Sequence, residues 1–66
     1  MTLGEVLKLS TGFLAGRGVG SPRLDAEFIL AHALGLARLD LYLEHDRQLT
    51  EADLDRCRTL VERRNK

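Results

Sequence analysis

Sixty-six residues, with ten Lys or Arg balanced by ten Asp or Glu and a single cysteine, make one small domain at most. A chain of this size buries only about 60% of the surface it exposes when unfolded, and one cysteine offers no disulfide to compensate. Zero net charge counts against a nucleic-acid module, and no apolar run approaches the roughly 20 residues that span a bilayer. Glu5 and Lys8 interrupt the first apolar run, so nothing at the start reads as a targeting segment, and the lone Cys57 fits a reducing, cytoplasmic setting. Charge is nonetheless uneven: Arg56, Arg58, Arg63, Arg64 and Lys66 crowd the last eleven residues. A helix end carrying the charge its dipole prefers explains this tail, with a binding patch as the alternative.

The spacing predicts a first helix over Leu3–Ala15. Thr2 and Glu5 match a capping box, in which each side chain satisfies a free backbone N–H. Leu3, Val6, Leu7, Leu9, Phe13 and Leu14 fall on one arc, with Glu5, Lys8, Thr11 and Gly12 opposite. Gly16-Arg17-Gly18-Val19-Gly20 then breaks the helix.

Ser21 and Pro22 open a second helix as N-cap and first helical residue, with Asp25 and Glu27 near its positive end. It runs to Leu34 and stops at Gly35, a left-handed C-cap. Leu24, Phe28 and Ala31 point one way and Ala26, Ile29, Leu30 and Ala33 the other, while Arg23, Asp25, Glu27 and His32 mark the seams. A helix apolar on two sides is central in its bundle, so neighbours are expected on both flanks of Ala26–Ala33. On that reading Phe28→Ala costs about 3–5 kcal/mol.

Arg38–Leu43 reads as a short third helix. The alternation of Leu39, Leu41 and Leu43 also allows a strand, but no partner strand is on offer. Glu44–Gln48 is a polar connector. Thr50, with Asp53 three residues later, caps the last helix, whose stripe is Leu54, Cys57, Leu60 and Val61. The fold class is all-α: a small irregular bundle of four helical segments around a central second helix.

No complete catalytic apparatus is present. Gly16-x-Gly18-x-Gly20 follows a helix rather than a strand, so it reads as a turn and not as a cofactor loop. His32 and His45 lack companions at metal-ligand spacing, and His32 is expected at a helix seam with a hydrogen-bond partner. Cys57 reads as a small core residue, and Tyr42 as a ring packed inward with its hydroxyl at the edge. Arg23 pairs with Glu27 four residues on, anchors the third helix, or meets a carboxylate on a partner; the structural roles are favoured.

Taken in order, Ser21-Pro22-Arg23-Leu24-Asp25-Ala26-Glu27, the apolar run with His32, Leu34-Gly35, Arg38-x-x-Leu41-Tyr42-Leu43, Leu49-Thr50 and Val61-Glu62-Arg63-Arg64 resemble one known family. It is the N-terminal domain of the peptide-chain-release-factor glutamine methyltransferases, and the resemblance covers nearly the whole chain. Ala37 departs from the Ser or Thr expected as cap of the third helix, which is therefore expected to fray.

The resemblance implies a helical recognition domain, residues 1–66, placed before a Rossmann-like catalytic domain that this chain does not contain. The full enzyme would transfer a methyl group from S-adenosylmethionine to the glutamine of the Gly-Gly-Gln motif in release factors. The glycine-rich cofactor loop and the Asn-Pro-Pro-Tyr motif of that catalytic domain are absent here, Pro22 being the only proline. No catalytic, cofactor or metal residue is therefore carried over. The expected partners are a release factor and the domain's own catalytic neighbour, with no nucleic acid and no membrane. Arg17, Arg23 and Arg38 are the candidate partner contacts. The rival readings are a helix-turn-helix nucleic-acid binder using the second helix and the basic tail, and a purely structural bundle.

Overall fold

The computed structural model describes residues 1–64, with the backbone alone at Arg64. Four helices follow one another: α1 (Leu3–Gly16), α2 (Pro22–Leu34), α3 (Arg38–Leu43) and α4 (Glu51–Arg64). The smallest dimension of the fold, 17 Å, is less than two helix diameters. α2 packs against α1, α3 and α4, so the second helix is central and the all-α bundle stands as read.

Local chemistry sets the helix ends. The Thr2 N–H donates to Glu5 Oε1 at 2.8 Å, and the Glu5 N–H donates to Thr2 Oγ1 at 3.2 Å. The same reciprocal pair links Thr50 and Asp53 at the start of α4. Gly35 ends α2 at φ +68°, where a Cβ would be strained. Ser21 occupies the N-cap position of α2, but its side chain makes no capping bond, so Pro22 and the backbone start that helix.

The connector between α3 and α4 does more than its polar sequence indicates. It crosses the start of α1, where Arg47 O accepts from the Leu3 N–H and His45 O from the Gly4 N–H, both at 2.9 Å. Two of the N–H groups that α1 cannot satisfy internally are thereby paired. A Cβ on Gly4 would lie 3.2 Å from His45 O, a tight contact that would push the connector back by a few tenths of an ångström.

The core is built around Leu3, Leu14, Leu30, Leu41 and Cys57, all fully buried. Three expectations fail at its edges. In α1, Leu9 and Phe13 are exposed while Ser10 is buried, because Ser10 lies in the middle of the apolar arc and the other two lie at its rim. In α2, Leu24 is exposed and Phe28 is 53% exposed although Ala31 of the same flank is buried, so the second helix is covered on one flank and largely open on the other. The covered face comprises Ala26, Glu27, Leu30 and Ala31, with a carboxylate in its middle. In α3 the Tyr42 ring is exposed and its hydroxyl points inward, the reverse of the packing expected.

Candidate functional site

The buried carboxylate organises the most distinctive cluster of the molecule. Glu27 retains 4% of its accessible surface. A charge placed there must be paired, because removing a carboxylate from water costs far more than burial of its stem returns. Three donors supply the pairing. Arg38 Nη2 donates to Oε1 at 2.7 Å, Arg23 Nε to Oε2 at 3.0 Å, and the Tyr42 hydroxyl to Oε2 at 2.9 Å. The hydrogen bond from Arg38 contributes most to holding the Glu27 pKa down at about 2, with those from Arg23 and Tyr42 adding to it against the opposing effect of burial.

α3 is tied to α2 through this hub. Ala37 gives α3 no side-chain cap, and only the Asp40 carboxylate reaches back to the Ala37 N–H, at 3.2 Å. Arg38 and Tyr42, one turn apart, instead fasten the six-residue helix to Glu27. Of the options open for Arg23, the pair with Glu27 is the one formed, and Arg38 is the residue that anchors the third helix. The guanidinium of Arg38 also lies over the Phe28 ring, 4.8 Å from its centroid.

The structure therefore brings two of the three candidate contact residues, Arg23 and Arg38, to one place. Arg17 is engaged elsewhere, over the Phe13 ring at 5.0 Å. Glu27 itself escaped the sequence reading, which set it at a seam. The available signal was its place between Ala26, Leu30 and Ala31 at 100° per residue, with Arg four residues before it.

The remaining chemistry-bearing residues have plain surroundings. His32 is exposed and lies at the α2–α4 seam as expected, lining a shallow groove with Ala33, Arg56 and Leu60. His45 is exposed, with Nε2 3.3 Å from Asp46 Oδ1. Cys57 is buried, and burial pushes its thiol pKa up, away from the reactive thiolate. Among the described residues no three His, Cys, Asp or Glu side chains converge as metal ligands. Residues 17–21 join α1 to α2, with Gly18 at positive φ. In the basic tail, Arg56 pairs with Asp53 and Arg58 with Asp55, while the Arg64 side chain and Lys66 lie outside the described residues. An apolar groove lies between α1 and α4, lined by Val6, Leu9, Phe13, Leu54 and Val61.

Residues 5–66 match the family model described as PrmC N-terminal domain. The chain is 45% identical over 60 residues to the release factor glutamine methyltransferase of Chlorobaculum tepidum, covering 91% of this chain and 20% of that protein. It is 45% identical over 65 residues to that of Geobacter sulfurreducens, covering 98% and 23%, and 43% identical over 63 residues to that of Rhodopirellula baltica, covering 96% and 21%. The chain thus spans about a fifth of the length of the curated relatives it matches. No solved structure shows a significant match to it.

Proposed function

The chain belongs to the PrmC N-terminal domain family, and from that premise we propose that it is the substrate-docking domain of a methyltransferase acting on a glutamine of peptide chain release factors. The observation that carries this reading is the match of nearly the whole chain to proteins named release factor glutamine methyltransferase. The target is the glutamine of the Gly-Gly-Gln motif. The methyl donor, S-adenosylmethionine, binds in a catalytic domain outside these 66 residues, and residues 1–66 form one recognition unit beside it. A reducing cytoplasm suits the single free thiol.

The physical logic is positional. An amide nitrogen is a weak nucleophile because its lone pair is delocalised into the carbonyl. Transfer of a methyl group to it therefore depends on holding the two reacting atoms in line. Contacts far from the reacting atoms supply that orientation when they are made with the whole protein substrate. Arg23 and Arg38, with Arg17 as a third candidate, are the contact residues this role calls on.

The test compares the parent enzyme with and without residues 1–66, on intact release factor and on a short peptide containing the target glutamine. Docking predicts that deletion raises KM for the intact factor at least tenfold while peptide turnover persists. An unchanged KM for the intact factor would refute it.

A further inference from the structure

Glu27 is buried, but the groups it holds are not. The Arg23 and Arg38 side chains remain 57% and 43% exposed, and most of Tyr42 faces solvent. Phe28 lies under Arg38, and Leu24 stands one turn before it on α2. On α3 the adjacent row is barer still, with Leu39 69% and Leu43 74% exposed. Isolated exposed leucines need no explanation. Here large apolar side chains from two adjoining helices border one hydrogen-bonded hub, which is the pattern of an interaction surface. Arg and Tyr are residue types that dominate binding hot spots. With Glu27 already fixing their positions, less freedom is lost when a partner arrives.

The most exposed charges on this face are cationic. Arg23 and Arg38 are exposed, Glu27 is buried, and Asp25 and Asp40 are half-buried, with Asp40 held at the Ala37 N–H. The α1–α4 groove is rimmed differently, by the exposed carboxylates of Glu51, Asp55 and Glu62 with Arg58 and the N-terminal Met1 among them.

We propose that the α2–α3 face around Phe28, Arg38 and Tyr42 seats the release factor, through a segment of that factor that is apolar and flanked by carboxylates. The proposal rests on the docking reading and specifies its surface. The full-length parent enzyme is titrated with release factor, as wild type and as four variants at exposed positions, with helicity checked for each. Phe28→Ser combined with Leu43→Ser raises Kd tenfold or more, whereas Leu9→Ser in the groove changes it less than twofold. Leu39→Asp and Leu39→Lys remove the same side chain from the same exposed site, and the Asp variant binds at least fivefold more weakly than the Lys variant. Wild-type binding that survives the Phe28/Leu43 change, falls with Leu9→Ser, or falls equally with Asp and Lys at position 39 overturns the assignment of this face while leaving docking intact. Failure of the wild type to bind overturns both.

Discussion

Replacing Glu27 with Gln is the most direct probe of how this domain holds together. The glutamine keeps the shape but loses the charge, and its amide NH2 meets a donor where Oε2 now accepts from Arg23 and Tyr42. The folded pKa of about 2, against 4.5 for a free glutamate, corresponds to a ceiling of about 3 kcal/mol at 1.36 kcal/mol per pH unit. Both guanidiniums are about half in solvent, so screening reduces this to about 1–2 kcal/mol. A core this small supplies roughly 3–5 kcal/mol in all, which makes the loss large. Because the folded pKa lies below the unfolded one, the contribution is complete above about pH 5 and declines as pH falls from 4.5 toward 2. Urea unfolding followed by circular dichroism at pH 7 and at pH 3.5 measures both effects. The Gln variant is expected to be about 1–2 kcal/mol less stable at pH 7, with a smaller gap at pH 3.5. Glu5 and Asp53, whose pKa values are also lowered by their capping bonds, respond to acid in both proteins and cancel in the difference. Equal stability at pH 7, or a gap that does not change with pH, would refute the role assigned to the hub.

Leu30 is fully buried and Phe28 is half exposed, so thermal melts should separate them: Leu30→Ala is expected to cost about 2–5 kcal/mol and Phe28→Ala about 1 kcal/mol or less. A larger loss at Phe28 would mean that its flank is covered. Gly35→Ala places a Cβ at φ +68° and is expected to cost about 1–2 kcal/mol in the same assay, whereas a neutral result would place Gly35 outside the left-handed region. Cys57 should react with a thiol reagent at native pH only as fast as the domain opens, and at full rate in urea; rapid native labelling would contradict its burial.

What could be read from the chain, and what could not, divides by distance along it. Thr2 with Glu5, Thr50 with Asp53, and Gly35 involve partners within three or four residues or a single φ angle, and each appears as the local sequence indicates. The four helices follow from such signals together with apolar spacing. Burial of Glu27 depends on Arg38 and Tyr42, eleven and fifteen residues away, and no period within α2 encodes them. The same long-range step explains why Phe28 was misplaced. Apolar spacing marks a side chain that gains by leaving water, but it does not say whether the covering element belongs to the same domain. On α2 one apolar flank is closed by α1 and α4, and the other carries Arg38 and then solvent. Two apolar flanks with cover for only one are what a helix shows when it is central to its own fold and also forms part of a surface for something else. The arginines fit the same account. Arg23 and Arg38, candidates for contact with a partner, are bound to an internal carboxylate that leaves much of each side chain exposed. Internal pairing does not compete with an external role here. A guanidinium has five N–H donors, and Glu27 takes one from each of these arginines while fixing where the others point.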